Sequence, residues 1–246
     1  MKKKVGKLIY NIGIDKRGKF IERPNRFIAH IQLPDKTEAV CHVHDSGRIR
    51  ELLFEGNSIG LKKAKEGSVR KTGWDVISAL SDDGEDILIN SAYHRYISEN
   101  LLKDSTLSPF GKVDSLKAEV KNGDSRIDYL LEKDGQRIWV EVKGVSLSVN
   151  KVAMFPDAPS TRAQKHLKEL MKLKEEGDRS AVLLLVFRES DSFRPKHETD
   201  PVFAELFYEA VSRGVEVYPV QFFLDGGKVM YEDREIRILP KNFSLK

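Results

Sequence analysis

Two carboxylates and a lysine near the middle of the chain have the types and spacing to hold a metal ion. Asp128 precedes the dipeptide Asp134-Gly135, and Glu141 and Lys143 follow it. Asp-Gly favours a two-residue β-hairpin turn, in which both central residues need positive φ. Counting outward from that turn places Asp128 opposite Glu141, with their Cβ atoms roughly 4.5–5.5 Å apart. Opposed carboxylates repel, so the pattern predicts a bound divalent cation that removes the repulsion.

The chemistry predicted for this set is phosphodiester cleavage. Asp128 and Glu141 would hold Mg²⁺ or Mn²⁺, with the backbone carbonyl of Val142 as a further ligand. Lys143 lies two residues beyond Glu141 and shares its face of the strand. It would position or deprotonate the attacking water, or stabilise negative charge as it develops. Glu119 would be a third acid if a second ion binds.

The pairing that brings these groups together also agrees with the apolar pattern. It aligns six apolar residues on the opposite face of the hairpin: Ile127, Tyr129, Leu131, Ile138, Val140 and Val142. A second hairpin signal, Asn122-Gly123, pairs Glu119 with Arg126 and puts Glu119 on the Asp128 face. The alternative is a solvated face, because Glu-x-Lys is common on strands by chance and Glu119 could simply pair with Arg126.

A helix is expected to begin near Thr161 and to end at Gly177, with buried residues at helical spacing. Arg162, Lys165 and His166 fall on another face at i, i+3 and i+4 and are predicted to contact phosphate. Gln164 could help to orient the site. The alternative for these residues is an ordinary solvated stripe.

The chain after residue 83 has the pattern of an α/β domain with a mixed sheet. The apolar run Ala181–Phe187 is typical of a strand buried on both faces. A helix opening at Asp200-Pro201 and a strand over Val215–Leu224 complete a right-handed parallel crossover. The last twenty residues are polar and basic, and we expect a flap or a tail there.

The first third of the chain is basic and rich in short strand patterns. Residues 1–80 contain 17 Lys and Arg against 9 Asp and Glu, which favours a polyanionic partner. A small antiparallel barrel or sandwich is expected from the candidate strands Leu8–Ile14, Arg26–Leu33, Glu38–His44, Ser58–Lys63 and Asp75–Leu80. A short helix is expected at Arg48–Leu53. The polar turn Ser81–Gly84 suggests a boundary that divides the chain into residues 1–82 and 83–246.

Arginines and one aromatic ring are interleaved in this basic region. The candidates for nucleic-acid binding are Arg23, Arg26, Phe27, Arg48 and Arg50. Rings can stack on bases while guanidinium groups follow the phosphates. Phe27 taken alone could equally be a core residue.

Composition bounds the remaining possibilities. The 246 residues include a single cysteine, so no internal disulfide can form, and a reducing cytoplasm fits. The longest apolar run is too short to span a bilayer, and we expect neither a signal peptide nor a membrane segment.

Seven short motifs occur together over nearly the whole chain. They are Asn25-Arg26-Phe27, Ser46-Gly47-Arg48-Ile49-Arg50-Glu51-Leu52-Leu53, Ser125-Arg126-Ile127-Asp128-Tyr129, Val140-Glu141-Val142-Lys143, Phe155-Pro156-Asp157-Ala158-Pro159, Lys165-His166-Leu167 and Asp200-Pro201. Jointly they resemble the sugar fermentation stimulation protein A family. The resemblance implies an oligonucleotide-binding (OB) barrel followed by a restriction-endonuclease-like domain of PD-(D/E)XK type.

The same resemblance implies a cytoplasmic DNA-binding protein associated with regulation of sugar-utilisation (maltose) genes. The Asp, Glu and Lys of the nuclease motif are present at Asp128, Glu141 and Lys143. Three positions depart from the family pattern: Ile127 stands where the motif's name has Pro, His44-Asp45-Ser46 replaces Pro-Asn-Thr, and Gly144 replaces Ser.

Three functions remain open at this point. A binding and regulatory protein would retain duplex or single-stranded DNA without cutting it, largely independent of sequence and sensitive to salt. A metal-dependent nuclease would cleave DNA with Mg²⁺ or Mn²⁺. A protein-interaction module would bind no nucleic acid. The sequence leaves open whether the protein forms a homodimer.

Overall fold

The computed structural model describes residues 4–45, 47–65, 67, 70, 72–123 and 125–243. Ser46, which belongs to one of the motifs above, lies outside them. The chain divides into two compact units. The first unit comprises Met1–Arg95 and Phe222–Asp233, and the second comprises Tyr96–Gln221 and Arg234–Lys246. The division after residue 82 remains a prediction.

Strands outnumber helices in the described part of the chain. The strands before the first helix are β1 (Lys7–Asn11), β2 (Lys16–Asn25), β3 (Ile28–Gln32), β4 (Glu38–His42), β5 (Ser58–Lys63), β6 (Trp74–Leu80) and β7 (Asp86–Leu88). A 3₁₀ turn at Ser91–Tyr93 leads into α1 (His94–Lys103). The remaining elements are β8 (Ser115–Asn122), β9 (Ser125–Lys133), β10 (Gln136–Val145), β11 (Leu147–Val149), β12 (Val152–Phe155), α2 (Thr161–Glu175), β13 (Arg179–Val186), β14 (Ser192–Pro195), α3 (Pro201–Ser212), β15 (Glu216–Asp225), β16 (Lys228–Glu232) and β17 (Arg237–Ile238).

The first unit contains a five-stranded barrel, as the OB resemblance implies. Its strands follow the order β4-β3-β2-β5-β6, and parallel pairing of Cys41 with Trp74 joins β4 to β6 and closes the sheet. Alternate residues point inward, so Ala29 and Ile31 of β3 and Cys41 of β4 are fully buried. Every predicted strand overlaps an observed one, but the strand predicted at Leu8–Ile14 is β1, which pairs with β16 and is not part of the barrel sheet.

Strand β2 was not predicted, because half of its residues are charged and it contains both Gly18 and Pro24. Of its ten residues, Gly18 and Phe20 are buried. Gly18 is required there, since a Cβ would lie 2.4 Å from Ile31 Cγ2 on the neighbouring strand. The strand therefore exists through close packing of the barrel, and its local pattern gives little sign of it.

The short helix expected at Arg48–Leu53 is wrong. The segment forms a single turn, closed by a hydrogen bond of 2.8 Å from Leu53 N to Ile49 O. Ile49 has φ +47°, which lies outside the right-handed helical region. Its side chain is buried, whereas Arg48 and Arg50 on either side are exposed.

The second unit has a mixed sheet, as predicted. Strands β10, β13 and β15 run parallel, and β9 and β8 continue the sheet antiparallel. A second sheet follows the order β11-β12-β14-β17. Helices α2 and α3 are capped at their N-termini by Ser160 and Asp200, whose side chains accept hydrogen bonds from Ala163 N and Phe203 N.

The two predicted hairpins fare differently. In β9–β10, Lys133 pairs with Gln136 and Tyr129 with Val140, as the Asp134-Gly135 turn requires. In β8–β9, Lys121 pairs with Arg126, so the predicted pairing of Glu119 with Arg126 is wrong by two residues. The last pair of this hairpin is Asn122 with Ser125, which moves the turn one residue along the chain.

The expectation of a flap or tail in the last twenty residues is also wrong. Strand β16 pairs with β1, and β17 pairs with β14. Apolar residues hold both strands, since Val229 and Ile236 are buried. None of the helices in the described part of the chain has the length and apolar character needed to cross a membrane.

Candidate metal centre and nucleic-acid interface

Strands β9 and β10 bring Asp128 and Glu141 to the place where their pairing stops. The last paired residues are Tyr129 and Val140, and the next position on each strand is an acid. Asp128 Oδ2 accepts a hydrogen bond of 2.7 Å from Val142 N. The N–H and C=O of one residue in an extended strand point to the same side. The Val142 carbonyl therefore also faces the Asp128 side.

Glu141 is the centre of a buried polar cluster. Its side chain is 2% exposed, and Oε1 accepts hydrogen bonds from Lys143 Nζ and His166 Nδ1. Lys143 Nζ lies 3.5 Å from His166 Nδ1. Within the described part of the chain, Glu141 Oε2 is buried and has no hydrogen-bond partner. One carboxylate oxygen at this site thus remains available to a ligand.

The two carboxyl groups have pKa values that are shifted in opposite directions. Burial, and then the charge of Glu141, raises the pKa of Asp128 to about 6, although the Val142 amide and Lys143 oppose the rise. Burial would also raise the pKa of Glu141, but hydrogen bonds from His166 and Lys143 and their charges lower it overall. At neutral pH both carboxyl groups are therefore ionised, and the ionisation of Asp128 is unfavourable in the folded chain.

These groups fit a hard divalent cation. The donors are carboxylate oxygens, one of them buried without a partner, and a backbone carbonyl beside them. Among the described residues, no group of three or more His, Cys, Asp or Glu could hold a metal ion. An ion at Asp128 and Glu141 would therefore keep several water ligands, as Mg²⁺ commonly does.

Glu119 lies at the edge of this site. It has φ +56° and interrupts the β8–β9 ladder between Ala118 and Val120. Its exposed carboxylate pairs with Arg126 at 3.3 Å, while its charge contributes to the raised pKa of Asp128. Glu119 thus forms an ion pair with Arg126, and its charge acts on Asp128.

Helix α2 separates the three residues that the sequence grouped on one face. His166 is buried against Glu141, whereas Arg162 and Lys165 are exposed, and Lys165 pairs with Glu169 at 3.8 Å. His166 shares the inward side of the helix with its buried neighbour Leu167. The common face of Arg162, Lys165 and His166 is therefore a wrong prediction.

The side chain of Gln164 contacts Asp200, at the start of α3, instead of Asp128 or Glu141. Its Nε2 donates to Asp200 Oδ1 at 2.9 Å, and the same carboxylate accepts hydrogen bonds from Ser160 N and Phe203 N, both at 2.9 Å. Asp200 therefore joins the N-termini of α2 and α3. This fixes the start of the helix that carries His166.

In the first unit, four of the predicted arginines meet at one pocket of about 450 Å³. Its lining residues are Phe20, Arg23, Asn25, Arg26, Gly47, Arg48, Arg50 and Leu53. The guanidinium of Arg23 donates to the carbonyl oxygens of Asp45, Gly47, Arg48 and Arg26 at 2.7–3.1 Å. Arg23 therefore holds the pocket wall together, a role that its sequence position gave no sign of.

Phe27 lies on the surface and not in the core. Its side chain is 51% exposed, so the core alternative is wrong. The ring stacks on His42 with a centroid separation of 6.4 Å, and His42 meets the edge of His44 at 4.2 Å. The rings of Phe27, His42 and His44 thus form a cluster, and Phe27 is next to Arg26 in the chain.

Comparison with known proteins agrees with this architecture. The family model described as the SfsA N-terminal OB domain matches residues 21–89, and that of the sugar fermentation stimulation protein RE domain matches residues 92–228. The chain belongs to the sugar fermentation stimulation protein family. The resemblance drawn from the motifs is thereby confirmed.

Similar proteins cover almost the whole chain. A sugar fermentation stimulation protein homolog of Methanococcoides burtonii is 41% identical over 231 residues, which span 92% of this chain and 93% of that protein. A homolog of Thermosipho melanesiensis is 40% identical, with 94% and 97% covered. The solved structure of Pyrococcus furiosus SfsA in complex with Ca²⁺ has a TM-score of 0.84 at 26% identity, with 95% and 99% covered.

Proposed function

We propose that this protein binds DNA through its basic barrel and holds a divalent cation at Asp128 and Glu141. The observation that carries the proposal is Glu141 Oε2, a buried carboxylate oxygen without a partner among the described residues. An ion there would satisfy that oxygen and offset both the burial and the repulsion from Glu141 that raise the pKa of Asp128. The Ca²⁺ complex of the Pyrococcus furiosus relative supports a divalent ion in this family.

The DNA-binding part of the proposal depends on phosphate contacts. Exposed arginines of the barrel, and Arg162 and Lys165 of α2, supply positive charge for contacts with phosphate. Such contacts give binding that is largely independent of sequence and falls steeply with salt. In this proposal residues 1–82 form the DNA-binding module and residues 83–246 the nuclease-like domain, and binding near sugar-utilisation genes would influence their transcription.

The metal part of the proposal is specific about roles. Asp128, Glu141 and the Val142 carbonyl would hold Mg²⁺ or Mn²⁺, and a bound ion of this kind polarises phosphoryl oxygens and lowers the pKa of its water. Lys143 keeps an ammonium group in the same pocket, where it would stabilise charge on a phosphate. His166 orients Glu141 through the hydrogen bond to Oε1.

Hydrolysis of DNA is the second candidate function, and Lys143 favours it. A pure metal-binding site has no need of an ammonium group in contact with a ligand carboxylate. The Asp, Glu and Lys together supply the charge stabilisation and water activation that phosphodiester cleavage requires. Binding without cleavage and binding with cleavage differ in products, so one experiment separates them.

The test incubates labelled single- and double-stranded DNA with the protein and Mg²⁺, Mn²⁺, Ca²⁺ or EDTA at low and moderate salt. Filter retention measures binding, and gel electrophoresis measures cutting. Asp128→Ala and Glu141→Ala are the site variants, and Glu205→Ala, at an exposed acid of α3 that pairs with Lys241, is the control. Retention without products under every metal supports the binding protein, and products lost in both site variants support the nuclease. Absence of retention at low salt would overturn the DNA proposal.

Metal binding is measured separately by calorimetry with each ion on the protein without DNA. We expect Ca²⁺ and Mn²⁺ to bind the wild type and the Glu205→Ala control, and to bind Glu141→Ala at least about tenfold more weakly. Equal affinity in all three proteins would reject Asp128 and Glu141 as the site.

A further inference from the structure

Three arginine side chains at the pocket of the first unit have no acidic partner among the described residues. Arg26, Arg48 and Arg50 are exposed and make no ion pair with any of them. The pocket lining itself contains no acidic residue within the described ranges. By contrast, Arg17 and Arg70 of the same unit pair with Asp86 and Asp75. Those two arginines are neutralised, and the three at the pocket are kept available.

The pocket wall that carries these arginines is held in a fixed conformation. Ile49 is buried with φ +47°, a region that β-branched residues rarely adopt. It anchors the turn, so that Arg48 and Arg50 extend on either side. The four hydrogen bonds from Arg23 fix the main chain of Arg48 and Arg26 as well. Strained backbone that its surroundings hold in place is characteristic of ligand sites.

The rest of the lining suits a nucleotide. Phe20 and Leu53 are buried apolar residues that face the pocket. Asn25 Oδ1 accepts hydrogen bonds from Phe27 N at 2.9 Å and Ile28 N at 3.1 Å, so its Nδ2 is the group left to donate to a ligand. A volume of about 450 Å³ lies within the range of small-molecule sites.

The arginines of the pocket carry more positive charge than one phosphodiester of a DNA backbone can neutralise. A phosphodiester carries one negative charge, whereas a terminal phosphate carries about 1.5 to 2 at neutral pH and offers three acceptor oxygens. Guanidinium groups bind such oxygens with two parallel hydrogen bonds, and Arg26, Arg48 and Arg50 all line this pocket. We propose that this pocket binds the terminal phosphate of a nucleotide, which refines the proposed DNA binding and rests on it.

Two sources share this chemistry: the phosphorylated end of a DNA strand and a free nucleotide. A strand end would carry further bases outside the pocket, and the exposed ring of Phe27, which is next to Arg26 in the chain, is a candidate to stack on one of them. A free nucleotide would occupy the pocket alone. The affinity of each is measured directly, and the two are compared by competition.

The experiment measures binding of 12-residue oligothymidylates by fluorescence anisotropy, with a hydroxyl or a phosphate at the 5′ or the 3′ end. EDTA is present, so the metal site does not contribute. We expect a phosphorylated end to bind about tenfold more tightly than the matching hydroxyl end. Thymidine 5′-monophosphate is added as the competitor and is also titrated alone by calorimetry.

Arg48→Gln and Arg50→Gln should bring the ratio of the affinities for phosphate and hydroxyl ends from about ten to about one, in addition to the general loss of DNA affinity that removal of a positive charge causes. Arg213→Gln is the matched control, since it removes the same charge from an arginine that pairs with Glu175 and Glu209. Its preference should equal that of the wild type. Binding of thymidine monophosphate that Arg48→Gln removes also supports the pocket and identifies free nucleotide as a source.

Equal affinity for phosphate and hydroxyl ends, together with no binding of the free nucleotide, would overturn this inference and leave DNA binding intact. A preference that persists in both pocket variants would place the phosphate elsewhere and overturn it too. If no oligonucleotide binds at low salt, the DNA proposal fails, and the nucleotide titration alone decides for or against the pocket.

Discussion

Asp128 Oδ2 accepts a hydrogen bond of 2.7 Å from the backbone amide of Val142, just beyond the last pair of the β9–β10 ladder. The Asp128 side chain thus accepts the hydrogen bond of a main-chain amide that would otherwise be available to the backbone of the neighbouring strand. The bond holds Asp128 close to Glu141, whose charge helps to raise the pKa of Asp128. The fold therefore keeps two carboxylates together at a cost in stability that a cation would offset.

Asp128→Asn should stabilise the metal-free protein. The pKa of Asp128 is about 6 in the folded chain against an ordinary value of 3.8, so its contribution to stability is lost as the pH rises from about 4 to 6. Asparagine removes the charge and can still accept from Val142 N. At pH 8 with EDTA we expect a gain on the order of 2–3 kcal/mol in urea unfolding.

The same variant should lose its response to divalent ions. Saturating Ca²⁺ or Mn²⁺ should raise the unfolding free energy of the wild type, because a ligand of the folded state stabilises it. Asp128→Asn should show little of this gain, while Glu205→Gln, at an acid that pairs with Lys241, should keep it. If Asp128→Asn is less stable than the wild type at pH 8 in EDTA, the ionised Asp128 does not destabilise the metal-free protein, and the first of these two predictions is wrong.

Glu141→Gln should lower the free energy of unfolding, whereas Asp128→Asn should raise it. Its pKa is lowered, so the folded state favours the ionised form, and Lys143 and His166 both donate to it. Removing the charge leaves the Lys143 ammonium without its partner, at a cost on the order of 2–3 kcal/mol. A double-mutant cycle with Lys143→Met measures the coupling. Additive losses would show that the pair does not interact.

The position of His166 separates two roles that the sequence had combined. Lys165→Gln removes an exposed charge and should lower the salt dependence of DNA binding by about one unit of slope. His166→Gln should leave that slope unchanged, since its ring is buried on Glu141, and should weaken divalent-ion binding instead. Equal slopes in both variants would argue against a phosphate contact at Lys165.

Much of this site could be predicted because its determinants are local. Asp134-Gly135 fixes the register of its hairpin, and Ser160 and Asp200 mark the helix starts by their capping chemistry. The buried position of His166 has a signal in the sequence, because His166 stands three residues after Ala163 and four before Leu170, but grouping it with Arg162 and Lys165 overlooked that signal. The ladder break at Glu119 depends on backbone conformation that the sequence does not announce.

The barrel shows the same division. Alternation in β3 and β4 reveals those strands, but β2 follows no such pattern and forms because both of its neighbours pair with it. The arginine pocket joins residues from two separate segments of the chain. Sequence could name the arginines as candidates, but only the fold shows which of them line one pocket.

Asp75 should make the barrel sensitive to acid. Burial opposes its ionisation, but hydrogen bonds from His44 and Arg70 lower its pKa to about 2 from an ordinary value of 3.8. A lowered pKa contributes stability that is present above pH 4 and is lost as the pH falls towards 2. Asp75→Asn should cost on the order of 2 kcal/mol at pH 7 and abolish this part of the pH dependence.

Urea unfolding from pH 2 to 7 checks this expectation. The wild type should lose stability between about pH 4 and 2 more steeply than the variant, so that the difference between them shrinks as the pH falls. A difference that stays constant over the whole range would mean that the loss comes from packing and not from the charge of Asp75.

Arg23 should matter for the structure of the pocket and not for contact with its ligand. Its guanidinium donates to four carbonyl oxygens, and Arg23→Met would leave them without that donor, at a cost on the order of 2–4 kcal/mol. Arg23→Lys keeps the charge but lacks the planar arrangement of donors, so it should lose most of the same stability. Arg26→Gln, on an exposed side chain, should lose almost none.

Hydrogen exchange distinguishes this role from a simple loss of charge. In both Arg23 variants the amides of Leu52 and Leu53, which bond to Ile49 O, should exchange faster, because the turn is no longer held. In Arg26→Gln they should exchange as in the wild type. If Arg23→Lys protects these amides fully, the charge at position 23 is sufficient and the multiple hydrogen bonds are not what holds the turn.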